Sequence, residues 1–154
     1  MVIKDVVHLA LRARRQERGM SEVDVASLAS LSVNEYYDLE QHSNEWRMVV
    51  PFFKLKFLLK LFDFDISETF GSKPIQNTLS KYHRIPDIIK DKRLALGLST
   101  EEFADKVGFF PVFTTIVEEH PLGLELYPLE VAMLVAEALQ ISPEEFVLWI
   151  VQHY

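Results

Sequence analysis

The chain has no cysteine, which excludes a disulfide scaffold, a thiol nucleophile and any zinc site with cysteine ligands. Basic residues are missing from two long stretches: no Lys or Arg stands between Gly19 and Trp46, or anywhere after Lys106. No apolar run is long enough to span a bilayer; the most apolar stretch, Val49 to Phe64, is broken by Lys54, Lys56, Lys60 and Asp63. No secretory leader is legible either, because Lys4, Asp5 and the arginines from Arg12 to Arg18 interrupt the first apolar stretch. A cytoplasmic protein with no membrane partner is the expectation. There is no glycine-rich phosphate loop and no Ser/His/Asp arrangement. The histidines (His8, His42, His83, His120 and His153) lack metal-ligand spacing, and Glu118-Glu119-His120 beside Pro121 reads as a helix end. No catalytic residue, metal or cofactor is therefore expected, and the chain does not read as an enzyme.

What is present is a globular balance: 154 residues, 49% apolar, 12% aromatic and 25% charged, enough for one ordinary domain or two small ones. Residues 1–106 carry 16 basic and 16 acidic residues, so the net charge of −7 belongs to the last 48 residues. Affinity for a phosphate backbone comes mainly from clustered Lys and Arg, so nucleic-acid binding needs local justification in this chain.

The chain repeats itself. Aligned without a gap at an offset of 78, the segments beginning at Leu11 and Ile89 share Arg15/Arg93, Gly19/Gly97, Ser21/Ser99, Ala26/Ala104 and Glu40/Glu118. Met20/Leu98, Val25/Phe103, Ala29/Val107, Leu31/Phe109 and Leu39/Val117 stay apolar. Each copy opens with a helix ending at a glycine suited to the left-handed C′ position. Ser21 or Ser99 then caps a second helix, with Glu102 completing a capping box in the second copy and Asp24 a weaker one in the first. After a short turn (Ser30 or Gly108), a third helix turns Tyr36 and Leu39, or Thr114 and Val117, inward: a helix-turn-helix layout. Further apolar helices follow at Phe52–Phe64 and around Phe70 in copy one. In copy two they follow at Leu129–Leu139 and after Ser142, where Pro143 suits N1 and Glu145 completes a box. No period-2 strand is visible. The expected fold is all-α, as two tandem five-helix domains over residues 1–70 and 87–154, joined by a linker at 71–86 with turn composition.

Each copy resembles the DNA-binding domain of phage lambda and Cro-type repressors, the Xre-like helix-turn-helix family. The resemblance covers roughly Val6–Phe70 and Ile88–Phe146. It rests on Arg15…Gly19-Met20-Ser21…Val25-Ala26…Leu39-Glu40 and on Arg93…Gly97-Leu98-Ser99…Phe103-Ala104…Val117-Glu118. It implies a DNA-binding transcriptional regulator acting on double-stranded DNA, and internal ion pairs Arg15–Glu40 and Arg93–Glu118 that orient the third helix. The alternative is that these four are ordinary surface charges.

In this family the third helix enters the major groove. Copy one is the better candidate for contacting DNA, through Arg12, Arg14 and Arg18 on the first helix, Asn34 and Tyr37 on the third, and Asn44, Trp46 and Arg47 after it. Asn34 suits adenine and Glu35 suits cytosine. Against this stand Glu22, which would face a phosphate with the wrong sign, and the absence of Lys or Arg on the third helix; the first-helix charges alternatively form a solvated face. Copy two has an uncharged third helix, Phe110-Pro111-Val112-Phe113-Thr114-Thr115-Ile116-Val117, and is not expected to read bases. Phe109, Phe110 and Phe113 are crowded beside Pro111, so at least one is expected to point outward as a protein contact, the others filling the core. The Phe146–Val151 helix, apolar on every face, must be covered on more than one side, either within the chain or in a homodimer that would use Trp149. The second functional reading is therefore a degenerate helix-turn-helix interaction module, antitoxin-like or a co-regulator, which binds a protein partner and not DNA.

Overall fold

Two pieces of local chemistry recur along this chain: a serine that opens a helix, and a left-handed residue that closes one. The computed structural model describes residues 6–69 and 77–153, apart from the side chain of Glu68. These residues are all-α, with ten α-helices and no strand among them. They divide into two compact units, Met1–Lys73 and Pro74–Tyr154. The first carries 10 basic and 11 acidic residues, the second 6 and 12.

The first unit contains α1 (Val7–Glu17), α2 (Glu22–Leu28), α3 (Val33–Gln41), α4 (Glu45–Met48), α5 (Phe52–Leu61) and a 3-10 turn, Ile66–Thr69. At the end of α1, Gly19 takes φ +64°. Its N–H reaches the Gln16 carbonyl, while the Met20 N–H reaches that of Arg15, the paired closure of a Schellman motif. Ser21 and Ser32 open α2 and α3 with full capping boxes, closed by Asp24 and Glu35. Buried Val7, Leu11, Val25, Ala26, Tyr36 and Leu39 supply the core between α1, α2 and α3. Trp46 is fully buried in α4, a helical turn where the sequence reads as loop; this removes it from any DNA contact. Phe52, Leu55, Leu58 and Leu59 are buried on α5, while Phe57 is exposed.

The second unit contains α6 (Ile85–Ala95), α7 (Thr100–Val107), α8 (Val112–Glu119), a 3-10 turn (Gly123–Leu126), α9 (Leu129–Ala138) and α10 (Pro143–Gln152). The closure of α1 is repeated at α6, where Gly97 has φ +68° and the Leu98 N–H bonds the Arg93 carbonyl. Ser99 and Glu102 form the capping box of α7. Helices α7 and α8 pack on each other, α6 packs on α8, and α10 packs on α9. Phe146 to Ile150 are all buried.

Residues 71–76 of the linker, and Phe70 with the short helix expected around it, lie outside the described residues. The rest of the expected linker is part of the second unit: Leu79 and Tyr82 are buried, and α6 already begins at Ile85. At α10, Ser142 caps the Glu145 N–H, but the Glu145 carboxylate does not close the box. Its Oε1 instead accepts from the Thr78 N–H at 2.5 Å and the Thr78 hydroxyl at 2.6 Å.

Candidate functional site: the exposed faces of α3 and α8

In each unit the arginine at the end of the first helix does three things at once. Arg15 Nε lies 2.6 Å from Glu40 Oε1, Nη2 lies 2.9 Å from Oε2, and Nη1 donates to the Met20 carbonyl at 3.1 Å. Arg93 repeats this at 2.6, 3.2 and 2.9 Å, with Glu118 and the Leu98 carbonyl. The planar guanidinium fork thus grips the third helix of its unit bidentately and ties down the chain just past the closing glycine. The side chains are deeply placed, at 12% and 0% exposure for Arg15 and Glu40, and 8% and 9% for Arg93 and Glu118. Glu40 and, at 3.6 Å, Glu22 hold the Arg15 guanidinium permanently charged. The Tyr36 hydroxyl is pushed well above the usual tyrosine range, chiefly by burial and secondarily by Glu40.

The other α1 arginines are also engaged. Arg12 Nη2 donates to the Glu40 carbonyl at 2.7 Å, at the end of α3. Arg14 Nη1 donates to the carbonyls of Phe62 and Asp63 at 2.5 and 2.8 Å and lies over the Phe64 ring. Arg18 donates to the Leu61 carbonyl, meets Asp63 Oδ2 at 2.7 Å and lies over the Phe62 ring. The last carbonyls of a helix have no partner within it; here Arg14 and Arg18 seal the end of α5, and Arg12 that of α3. The basic first helix thus fastens the ends of α3 and α5, while Arg12 and Arg18 keep 36% and 39% of their side chains exposed.

The outer face of α3 is acidic and partly spoken for. Asn34 and Tyr37 are exposed, Tyr37 to 47%. Glu35 Oε2 accepts from the Ser32 N–H at 2.7 Å, which holds its carboxyl below the usual range, so its carboxylate serves the cap. Asp38 faces His42 at 4.0 Å. Asn44 is exposed and its Oδ1 accepts from Arg47 at 3.2 Å. Glu22, at the head of α2, is beside Arg15.

The corresponding face of the second unit is apolar. Phe113 is buried and stacks on half-buried Phe109 at 4.5 Å, with Tyr127 edge-on to both at 5.1 and 5.5 Å. Phe110 is 83% exposed and Val112 62%. Of the aromatics expected as contacts, Phe110 therefore faces outward, Phe109 partly so, whereas Phe113 and Trp149 are core. Thr114, where the first unit has Tyr36, is buried and donates to the Thr100 carbonyl at 2.6 Å. Pro111 holds the N-cap position of α8 with no side-chain cap bond. Among the described residues no helix is long and apolar enough to cross a membrane, and no group of three or more His, Asp or Glu is placed to hold a metal ion.

What sequence reasoning missed is the role of backbone acceptors. Nothing in the residues at 61–63 signals that Arg14 and Arg18 are wanted there, because every residue has a carbonyl. No protein-family model matches the chain, and neither curated proteins nor solved structures match it.

Proposed function

We propose that the chain is a protein-interaction module made of two tandem five-helix, repressor-like helix-turn-helix domains, and that it does not read DNA itself. The observation that carries this reading is the fate of the cations. Arg12, Arg14, Arg15 and Arg18 each direct at least one donor inward, to a backbone carbonyl or to Glu40 or Asp63. The α3 face left to solvent bears Glu35 and Asp38, and the α8 face has no charge before Glu118. A duplex is bound chiefly through phosphate neutralisation, and these faces have little to offer one. An exposed Phe110 and Val112 on an acidic unit suit contact with another protein. The reading has no catalytic step.

The test is fluorescence anisotropy of labelled random duplex titrated with the full chain at about 50 mM salt, where counterion release favours binding. The module reading expects no saturable binding. Saturable binding that weakens steeply with salt overturns it in favour of the second reading, a transcriptional regulator contacting DNA through the first unit. Exposed Asn34 and Tyr37 on α3, with Arg47 beyond it, are what favour that alternative; it expects Asn34→Ala to reduce affinity.

A further inference from the structure

The exposed face of the second unit has a shape and a rim as well as an apolar centre. Gly108, in left-handed conformation at φ +91°, ends α7 and turns the chain sharply into Phe109-Phe110-Pro111. Between this turn and α7 lies a notch of about 540 Å³, lined by Glu101, Asp105, Gly108, Phe109, Phe110 and Pro111. One wall is aromatic and proline. The other is a pair of carboxylates four residues apart, and so on one face of α7. Both acids are exposed. Hydrogen bonds from backbone N–H and from the Thr100 hydroxyl, 2.9 Å away, hold the Glu101 carboxyl below the usual range, so it is ionised at neutral pH. Lys106 is the single cation of α7, and none follows it in the chain.

The floor of the notch is packed against the core. Phe109 is stacked on buried Phe113, which in turn meets Phe103 at 6.2 Å and Tyr127 at 5.1 Å. An aromatic shelf already fixed in this way loses little side-chain freedom when something settles on it. The Phe109 floor is thus preorganised and apolar, the Phe110 wall stands open to solvent, and the α7 edge is negative.

We propose that this notch receives a basic amphipathic helix of a partner protein. One apolar side chain of that helix would sit against Phe110 and Pro111, and Lys or Arg residues one turn away would pair with Glu101 and Asp105. The proposal rests on the protein-interaction reading and specifies its partner. Charge complementarity selects the occupant: a unit with 6 basic and 12 acidic residues disfavours an acidic helix, because like charges brought together across an interface suppress association.

The test uses the full chain and three synthetic 18-residue peptides. All share one leucine stripe at helical spacing, flanked by Lys and Arg in the first, Glu in the second and Gln in the third. Binding is followed by anisotropy of the labelled peptide. The basic peptide is expected to bind saturably and to weaken with salt. Phe110→Ala should reduce its affinity about thirtyfold or more, as for a central aromatic anchor. The pair Glu101→Gln with Asp105→Asn should reduce it roughly five- to twentyfold. These three positions are exposed, and unchanged circular dichroism certifies the fold of each variant. Equal binding of the Glu peptide, indifference of the basic peptide to Phe110→Ala, or no binding of the basic peptide overturns the proposal. Binding of the Gln peptide as tight as that of the basic one, and lost in Phe110→Ala, overturns the basic partner but leaves the interaction reading standing. Duplex binding at low salt removes the interaction reading itself.

Discussion

Replacing Glu40 by glutamine tests the clasp that gives the first unit its shape. The side chain is fully buried and takes two guanidinium bonds from Arg15, at 2.6 and 2.9 Å, with Arg12 Nε a further 3.9 Å away. Glutamine keeps the volume but turns one acceptor into a donor facing the fork, and leaves a nearly buried cation with only the more exposed Glu22, at 3.6 Å, as counterion. Breaking one side of a buried ion pair costs about 3–5 kcal/mol, a large part of the about 5–15 kcal/mol that holds a domain together. Salt should change this little, because a pair so poorly exposed is weakly screened. The reporter is built in: the chain has two tryptophans, Trp46 in the first unit and Trp149 in the second. In a Trp149→Phe background, Trp46 fluorescence follows the first unit alone. With a urea slope of about 1 kcal/mol per molar for so small a unit, the Glu40→Gln midpoint should fall by about 3–5 M or the unit should be unfolded at the outset. The double change Arg15→Met with Glu40→Leu should recover most of the loss, since a well-packed apolar pair often replaces a buried ion pair without penalty. A cost below about 1 kcal/mol for Glu40→Gln would put the pair among ordinary exposed bridges and refute the reasoning.

Two residues past α2, Ser30 takes φ +55°, whereas its counterpart in the second unit, at the end of α7, is Gly108. Ser30→Gly should relieve about 1–2 kcal/mol of left-handed strain, less the greater chain entropy of glycine, for a net gain of about 0.5–1 kcal/mol in urea melts. Gly108→Ala should lose about 1 kcal/mol from backbone conformation alone, because an added Cβ meets nothing within 4 Å. In alkali, burial and the Asp91 carboxylate, which accepts from its hydroxyl, push Tyr82 up to about 12, and burial raises Tyr36 and Tyr127 as well. A raised folded value means that stability is intact below about pH 10, where unfolded tyrosine titrates, and is lost as pH rises through about 12. Thermal melts from pH 8 to 12 should fall on that schedule, and Tyr82→Phe should flatten part of the decline.

The residues legible in the sequence are those with a single geometric job. Glycine just past α1 and α6 and serine three residues before an acid at α2 and α7 each answer a local requirement that few other residues meet, whereas the Arg and Glu 25 positions apart are expected only through the family resemblance. Roles set by distant backbone were not legible. Arg14 and Arg18 resemble a phosphate-binding strip until their carbonyl partners, more than forty residues away, are seen. The Ser142–Glu145 pattern has the spacing of a capping box, yet Thr78 competes for the carboxylate and takes it. Phe109, Phe110 and Phe113 look equivalent in sequence. Only the packing of Tyr127 against the first and last leaves Phe110 outside. Trp149 reads as a surface for dimerisation because its whole helix is apolar, and it is buried instead.

The most direct measurement is a backbone amide NMR titration of the full chain at low salt, once with random duplex and once with the basic amphipathic peptide. The peptide should shift resonances from Glu101 through Val112 and leave Asn34, Tyr37 and Arg47 unmoved, while the duplex should shift none of them. Saturable shifts of Asn34, Tyr37 and Arg47 with duplex, and none around Phe110 with peptide, would contradict the account.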